Sequence, residues 1–347
     1  MDPQPLKTPA PYPMSKTAVV ILNWNGAQFL KQFLPSVCLH TPEAAEIIVA
    51  DNGSTDTSHD AVAAFPRVKW LPLGENYGFA EGYNRALHEI TADYYVLLNS
   101  DVEVTPNWLE PMTDFLDKHP EVAACQPKIK SYHQRSFFEH AGAAGGLIDA
   151  LGYPYCRGRM FDHVEEDRGQ YDQAARIFWA SGACLCIRSQ LYHETGGLDK
   201  DFFAHMEEID LCWRLGCHGW AVFYVPESTV FHIGGGSLPK ENPRKDYLNF
   251  RNNLLMLYKN LPPQQLRRVM MARYWMDLAA ALQALLSGKK ATAKAIMQAR
   301  KDYSKMKQTP DFVVKRQTNL QAMRVQKPFG IIRRSIVWDY YIRKKNR

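Results

Sequence analysis

The sequence predicts an α/β protein with a Rossmann-like, mostly parallel sheet flanked by helices, followed by a basic, mainly helical C-terminal extension. Apolar runs that end in polar residues alternate with segments of helical periodicity, which is typical of parallel βαβ units. A sharp change in charge near residue 239 marks the extension. The 347 residues, 46% hydrophobic and 22% charged, suffice for one large α/β domain and an appendage.

The first elements follow from local pattern. An apolar run predicts a strand over residues 17–25, and helical spacing after Gly26 predicts a helix. A second strand is predicted over 47–50 with a turn at 51–53, and a third precedes a helix that starts at about Ala80. The segment "DYYVLLNSD" predicts the next strand.

The elements that follow are less regular. Thr105 is the expected N-cap of a helix in "PNWLEPMTDFLDKHP", with Pro106 as its first residue. Residues 139–161, rich in glycine and aromatic residues, predict an irregular surface loop. Short strands then surround a helix that carries Glu207 and Glu208 in its first turn, where carboxylates are favoured by the helix dipole.

Composition and charge predict three segments: a proline-rich, disordered stretch at 1–16, an α/β domain at 17–238 and the basic extension at 239–347. The extension contains 25 Lys and Arg against 6 Asp and Glu, whereas the first 238 residues contain 17 and 30. No apolar run approaches the ~20 residues of a membrane span, and we expect no secretion signal. Seven scattered cysteines predict reduced thiols in a cytoplasmic protein.

Polar clusters follow three of the predicted strands, at residues 23–25, 51–54 and 99–101. Because ligands bind beyond the carboxyl ends of the strands in open α/β sheets, the clusters are expected to line one crevice. Asp101 would then face a ligand, where a carboxylate can hold Mg²⁺ or Mn²⁺ together with substrate phosphates. His232, at the end of a predicted strand, could supply a further ligand, although a core histidine is the simpler interpretation.

Other candidates keep two interpretations each. Asp51 either forms a plain Asx-turn or contacts a ribose or base. Glu207, Glu208 and Asp210 either supply a general base, since close carboxylates raise one another's pKa, or form a solvated helix turn with an Asp210–Arg214 ion pair. No G-x-G-x-x-G follows a strand and no G-K-[ST] loop is present, which disfavours dinucleotide oxidoreductases and P-loop enzymes.

Six segments together resemble the family-2 glycosyltransferases, in particular the bacterial rhamnosyl- and galactofuranosyl-transferase-like branch. They fall within residues 17–237 and read "VVILNWNG", "IIVADNGSTDTS", "ENYGFAEGYNRAL", "VLLNSDVEV", "WASGACLCIRSQLYHETGGLDKDFFAHMEEIDLCWRL" and "VFHIGGGS". The resemblance implies a GT-A fold, a nucleotide-diphospho-sugar donor and a divalent cation, Mg²⁺ or Mn²⁺.

The resemblance also implies roles for single residues. Asn99-Ser100-Asp101 matches the family's D-x-D element with asparagine in its first position, so Asp101 inherits the metal role, and His232 matches the position that completes the metal site. The implied nucleotide-sugar-binding residues are Asn23, Asn25, Asp51, Asn76, Gly78, Asn99 and Asp101.

Glu207-Glu208 matches a Glu-Asp pair whose second member is the base. Glu208 is therefore the implied base, although it is a glutamate where aspartate is expected, and Glu207 and Asp210 stay open as alternatives. Trp179 and Gly182 match the segment that faces the acceptor. The implied reaction is an inverting transfer of sugar to a hydroxyl of a glycan or polyprenyl-linked acceptor in cell-surface polysaccharide biosynthesis.

Two other functions remain possible on the sequence. The departures at Asn99 and Glu208 would suit a sugar-nucleotide-binding protein without catalysis. A nucleotidyltransferase has a similar sheet, but it releases diphosphate from a triphosphate.

The basic extension carries a long amphipathic pattern at 263–288. Its helix either caps the domain or binds a membrane surface, because basic residues and an apolar face both favour an anionic leaflet. We expect peripheral contact at the cytoplasmic face of the inner membrane, and no nucleic-acid partner, since no nucleic-acid-reading motif accompanies the charge. Arg267 and Arg268 lie off the apolar face, which is formed by Leu266, Val269, Met270, Tyr274, Leu278, Ala281, Leu282 and Leu285.

Overall fold

The computed structural model describes residues 16–234 and 242–344. The predicted disorder before Lys16, the glycines at 235–236 and the predicted boundary at 238 lie outside these residues. The described strands are β1 (Thr17–Asn23), β2 (Glu46–Asp51), β3 (Val68–Pro72), β4 (Tyr94–Asn99), β5 (Val102–Val104), β6 (Val122–Ser131), β7 (Gly146–Asp149), β8 (Pro154–Cys156), β9 (Arg159–Met160), β10 (His163–Val164), β11 (Ala175–Ile177), β12 (Cys184–Arg188), β13 (Ala221–His232) and β14 (Ile331–Ile332).

Helices occur both in the predicted α/β domain and in the extension. They are α1 (Ala27–His40), α2 (Ser58–Ala63), α3 (Gly78–His88), α4 (Glu110–Lys118), α5 (Ser189–Glu194), α6 (Glu207–Cys217), α7 (Pro243–Asn260), α8 (Pro263–Leu286), α9 (Lys290–Met306) and α10 (Pro310–Ala322). A short 3-10 turn at Lys200–Phe202 and a π-helical turn at Trp338–Ile342 complete them.

A nine-stranded sheet forms the centre of the molecule, in the order β11-β13-β6-β12-β4-β1-β2-β3, with β5 paired to β13. Strands β3, β2, β1 and β4 pair in parallel with one another, which confirms the predicted parallel sheet. The chain places β2 and β3 on one side of β1 and then β4 on the other. Such a reversal opens a crevice at the carboxyl ends of the strands.

The sheet is buried on both faces. Successive residues of β1 point to opposite sides, so that Ala18 and Val20 join one apolar cluster while Val19 and Ile21 join the other. This two-sided burial explains the continuous apolar runs from which the strands were predicted.

The prediction of an irregular loop at 139–161 is wrong. Strands β7, β8 and β9 lie in this region and form a second, five-stranded sheet in the order β10-β9-β8-β7-β14. Ala143, Ala144 and Ile148 of this region are fully buried. Strands of two to four residues carry too little periodicity to be recognised in the sequence.

The predicted cap of α4 is also wrong. The helix begins at Glu110, and the Thr105 hydroxyl donates a 2.7 Å hydrogen bond to the carbonyl oxygen of Thr229 in β13. Thr105 therefore joins β5 to β13, a contact between residues far apart in sequence.

The extension is helical, as predicted, and packs on the α/β domain. Helix α7 contacts α6, α9 and α10, and β14 returns to pair in parallel with β7. All seven cysteines are free, and each except Cys38 is buried. Within the described residues, no helix has the length and apolar character that a bilayer span requires.

Candidate active site

Two predicted nucleotide-binding residues lie side by side where β1 and β2 end. Asn23 and Asp51 are register partners, and the Asn23 amide donates a 3.2 Å hydrogen bond to Asp51 Oδ1. The backbone N–H of Ser54 donates to the other carboxylate oxygen at 3.1 Å. Both side chains are buried, while Asn23 Oδ1 has no hydrogen-bond partner. A buried acceptor without a partner is one that a ligand can satisfy.

Asn25 and Asn99 border the same crevice. Asn25 has a left-handed backbone (φ +50°), and its Oδ1 accepts a 2.7 Å hydrogen bond from the Thr55 backbone N–H. Asn99 ends β4 with its side chain half-buried, and its backbone N–H donates to the carbonyl oxygen of Ala183 at 3.0 Å. The first side chain stabilises the turn after β2, and the second is half-buried at the end of β4.

Asn52 organises the loop that carries the predicted residues Asn76 and Gly78. Its Nδ2 donates to the Gly78 carbonyl oxygen at 3.0 Å, and its Oδ1 accepts from the Tyr77 backbone N–H at 3.1 Å. Gly78 has φ +77°, and a Cβ atom there would lie 2.5 Å from the Phe203 ring. Glycine is therefore required at this position.

Asp101 and His232 meet, as the sequence predicted for a shared site. His232 Nε2 lies 3.1 Å from Asp101 Oδ1, and its Nδ1 lies 3.3 Å from Glu139 Oε2. All three side chains are buried. Burial by itself lowers the pKa of His232, but the carboxylates of Asp101 and Glu139 outweigh it and raise that pKa to about 10.

This arrangement fits a divalent cation in part. A carboxylate and an imidazole converge, and the Glu139 carboxylate lies 3.3 Å from the far nitrogen of the imidazole without a hydrogen bond between them. Outer-shell carboxylates occupy this position in many protein metal sites. No three His, Cys, Asp or Glu side chains of residues 16–234 and 242–344 could together hold a metal ion. Asp101 and His232 would therefore contribute two ligands, and Mg²⁺ and Mn²⁺ commonly take the others from substrate phosphates and water.

The three acids of α6 have different surroundings. Glu207 is buried, and burial together with the neighbouring Glu208 raises its pKa well above the usual range. Glu208 is half-buried, and burial raises its pKa to about 7. In both glutamates one buried carboxylate oxygen has no hydrogen-bond partner. A carboxyl group whose pKa is raised to near neutrality has a property that a general base needs.

Asp210 instead lies in a buried ion-pair network, completely shielded from solvent. Its Oδ2 is 2.9 Å from Arg214 Nε and 2.7 Å from Lys259 Nζ. Its Oδ1 accepts a 2.7 Å hydrogen bond from Asn260. The predicted Asp210–Arg214 ion pair is present, but it is buried, whereas the sequence suggested that it would be exposed to solvent.

The two predicted acceptor-side residues differ in position. A Cβ atom on Gly182 would lie 3.3 Å from the Phe79 ring and 3.9 Å from Glu208 Cβ, so that Gly182 faces both α3 and the candidate base. Trp179 is buried, and its indole N–H donates a 2.9 Å hydrogen bond to the Leu147 carbonyl oxygen in β7. Its contacts are those of a packing residue.

The loop before α6 is strained and is held by α7. Phe203, His205 and Met206 all have positive φ angles, between +64° and +74°, which side chains other than glycine rarely adopt. The amide of Asn252 donates to three carbonyl oxygens of residues 202–205 at 2.8–2.9 Å. A residue of the extension therefore stabilises the loop that leads into Glu207 and Glu208.

Glu139 and Asn252 were not predicted from the sequence. Asn52 lies within the predicted polar cluster 51–54, but its own role in holding the loop at residues 76–78 was not predicted. Glu139 contacts a residue that is 93 positions away in the sequence, and Asn252 contacts residues that are 47 to 50 positions away. No local sequence pattern marks either of them. Only the packing of β13 and α7 brings them to the site.

Comparison with known proteins places the chain among sugar transferases. Residues 18–177 match the family model described as glycosyl transferase family 2. The chain is 30% identical over 230 residues to the N-acetylglucosaminyl-diphospho-decaprenol L-rhamnosyltransferase of Mycobacterium tuberculosis, covering 62% of this chain and 75% of that protein. It is 22% identical over 235 residues to the dTDP-rhamnosyl transferase RfbF of Shigella flexneri, covering 62% and 72%.

A solved structure supports the fold. The crystal structure of GalNAc-T7 with UDP, GalNAc and Mn²⁺ superposes with a TM-score of 0.59 at 17% sequence identity. The match covers 81% of this chain and 54% of that chain. At this identity the likeness concerns the fold, and it agrees with the GT-A fold that the sequence motifs imply.

Proposed function

The chain belongs to glycosyltransferase family 2, and on that premise we propose that it transfers L-rhamnose from a nucleotide-diphospho-sugar to a hydroxyl of a polyprenyl-linked glycan in cell-surface polysaccharide biosynthesis. The donor sugar and the acceptor are suggested by the rhamnosyl-transferring relatives. The observation that carries the catalytic assignment is the position of Glu208, half-buried beside Gly182 with a pKa near 7.

Glu208 acts as the base because its two competitors are unsuited to the role. Burial and the neighbouring Glu208 raise the pKa of Glu207 well above its usual range, and its side chain is almost completely buried, so that an acceptor hydroxyl has little access to it. Both carboxylate oxygens of Asp210 are occupied by Arg214, Lys259 and Asn260. Glu208 accepts the proton of the acceptor hydroxyl, whose oxygen attacks the anomeric carbon as the nucleoside diphosphate leaves. A single displacement of this kind inverts the anomeric centre.

The donor lies along the carboxyl ends of β1, β2 and β4. Asp51 receives the nucleoside, and Asn23, whose Oδ1 has no partner, lies beside it. The loop at Asn76 and Gly78 closes over the donor from the start of α3. The half-buried amide of Asn99 faces the diphosphate.

Asp101 and His232 would hold a divalent cation, Mg²⁺ or Mn²⁺. When bound, the cation neutralises the charge that develops on the departing diphosphate. Glu139 places its carboxylate 3.3 Å from His232 Nδ1 on the far side of the imidazole, while His232 Nε2 lies 3.1 Å from Asp101 Oδ1.

The protein works at the cytoplasmic face of the inner membrane, with peripheral contact through residues 239–347. A polyprenyl-linked acceptor resides in that membrane. The basic balance of the extension favours an anionic surface.

A donor screen tests this function and the metal role together. Release of nucleoside diphosphate from dTDP-rhamnose, UDP-galactofuranose, UDP-glucose and UDP-N-acetylglucosamine is measured with a membrane extract as acceptor source, in Mg²⁺, Mn²⁺ or EDTA. We expect turnover of dTDP-rhamnose, its loss in EDTA, and at least a ~10²-fold lower rate for Asp101→Ala, because charge neutralisation of the leaving group is worth several kcal/mol.

Asp60→Ala is the matched control, since Asp60 is an exposed carboxylate on α2 whose ion-pair contact is with His59. Full activity of Asp101→Ala would contradict the metal assignment. Tight binding of a sugar nucleotide without turnover would favour the non-catalytic binding protein, and diphosphate release from a nucleoside triphosphate would favour a nucleotidyltransferase.

A further inference from the structure

Helix α8 differs from an ordinary surface helix: it packs Leu266, Val269 and Met270 against the core near its start, but it buries charged residues in its middle. The residues that it buries against the protein are Arg273, Asp277, Ala281 and Ala284. Six of the fifteen large hydrophobic residues that are exposed among the described residues lie on its other side. Amphipathic helices of globular proteins normally bury the apolar face and expose the charged one.

The buried charges fix the rotation of α8 about its axis. Arg273 Nη1 donates to the Leu151 carbonyl oxygen at 3.1 Å, and the guanidinium lies 4.1 Å from the centre of the Tyr153 ring. Asp277 pairs with Arg273 at 3.4 Å and also with Arg300 of α9. If α8 were rotated so that its apolar side faced the protein, Arg273 and Asp277 would lose these partners. Other charged side chains would then be buried without partners, which is costly.

The exposed apolar residues form one continuous stripe. Met271, Trp275, Leu282 and Leu286 follow one another at spacings of four, seven and four residues, which keeps them on one side of a helix. Trp275 is 66% exposed and Leu286 is 81% exposed. Leu285, also exposed, widens the stripe near its end. We call these five residues the α8 stripe.

Basic residues stand at both ends of the α8 stripe. Arg267 and Arg268 are exposed in the first turns of α8, and Lys289, Lys290 and Lys294 are exposed just beyond its C-terminal end. None of the five forms a salt bridge within the described parts of the chain. The single acidic residue of α8 is the buried Asp277, so no negative charge on this helix competes for a partner.

We propose that the α8 stripe, with its five flanking basic residues, is the surface on which the protein lies against an anionic lipid bilayer. The inference deepens the proposed function and rests on it, because it names the docking surface for the membrane contact. An apolar helix face enters the boundary between headgroups and acyl chains, and the basic side chains on either side bind anionic headgroups. Tryptophan is favoured at that boundary.

The charges argue against a second copy of this chain as the occupant. In an antiparallel pair of stripes, Arg267 and Arg268 of one copy would face Lys289 and Lys290 of the other. In a parallel pair, each basic cluster would face its own equivalent. Like charges meet in both arrangements, which disfavours self-association, whereas an anionic bilayer complements both ends at once.

Vesicle flotation of the full chain tests the proposal. Purified protein is mixed with vesicles of phosphatidylcholine alone or with vesicles that also contain about 30 mol% phosphatidylglycerol. The second composition gives the vesicle surface a negative charge of about the physiological level. We expect binding to the anionic vesicles that is at least ~tenfold tighter than to the neutral ones. The triple variant Trp275→Ser, Leu282→Ser, Leu286→Ser should bind both at least ~tenfold more weakly, and Arg267→Glu with Arg268→Glu should lose at least ~tenfold on anionic vesicles.

Two matched controls lie elsewhere on the surface: Leu39→Ser, at an exposed leucine of α1, and Lys31→Glu, at an exposed lysine of the same helix. Both should bind vesicles like the wild type. Circular dichroism and size-exclusion chromatography with light scattering verify that each variant is folded and report its oligomeric state.

The outcomes separate this surface from the proposed function. The proposed docking surface would be wrong if the stripe variants bound vesicles as tightly as the wild type. It would also be wrong if the wild type did not bind anionic vesicles. Stripe-dependent dimers in solution would assign the surface to a second copy instead. The stripe variants should turn over dTDP-rhamnose like the wild type when the acceptor is a short-chain molecule dissolved in detergent. If the wild-type protein binds vesicles but turns over no donor, the proposed function is wrong and the docking surface is retained.

Discussion

Replacing Glu208 by glutamine is expected to lower kcat by about 10²–10⁴-fold while leaving the affinity for the nucleotide sugar nearly unchanged. Glutamine keeps the size of the side chain but cannot accept the acceptor proton. The donor contacts proposed for β1, β2 and β4 do not involve α6. Steady-state kinetics of nucleoside diphosphate release, together with calorimetric titration of the donor, measure the two quantities separately.

The pH dependence provides a second readout for the same residue. The base works as a carboxylate, and burial raises the pKa of Glu208 to about 7. Below that pH the group is protonated and inactive, so kcat/KM of the wild type, which reports the free enzyme, should rise as the pH increases through about 7. The residual activity of Glu208→Gln should lack this limb.

Glu207→Gln is the matched control, because it makes the same change one residue away at a carboxyl that is buried from solvent. We expect it to retain most of the activity and the acidic limb of the pH profile. The assignment would be reversed if Glu207→Gln lost both while Glu208→Gln kept them.

Replacing Lys259 by methionine is expected to lower the free energy of unfolding by about 3 kcal/mol, the lower end of the cost of breaking a buried ion pair. Lys259 Nζ lies 2.6 Å from Asp199 Oδ2 and 2.7 Å from Asp210 Oδ2, and all three side chains are buried. Lys315 and Arg214 remain beside the two carboxylates and limit the loss. Urea denaturation followed by circular dichroism measures the change.

Lys315→Met tests whether burial is the cause. Lys315 pairs with the same Asp199 at 2.6 Å, but 31% of its side chain is exposed, and solvent weakens the contribution of exposed pairs. Its effect should therefore be clearly smaller than that of Lys259→Met. Equal midpoints for the wild type and Lys259→Met would show that the network contributes no net stability.

The sequence by itself determined the class of fold and the location of the crevice. Parallel strands buried on both faces must be apolar throughout, and the chain becomes polar only where each strand reaches the ligand-binding edge. The pattern of apolar runs and polar strand ends is therefore enough to place Asn23, Asp51 and Asn99 at one edge of the sheet. The order of several motifs was enough to identify the family.

Tertiary structure alone decided the properties of the acids on α6 and the orientation of α8. Glu207, Glu208 and Asp210 are equivalent by spacing; they differ because Lys259 and Asn260 reach Asp210 from α7, while Glu208 stays partly open beside Gly182. The apolar periodicity of α8 could not tell which side packs inward, since its buried side is chosen by Arg273 and Asp277 and their distant partners. Burial and charge pairing depend on residues that are remote in the chain, and local sequence carries no record of them.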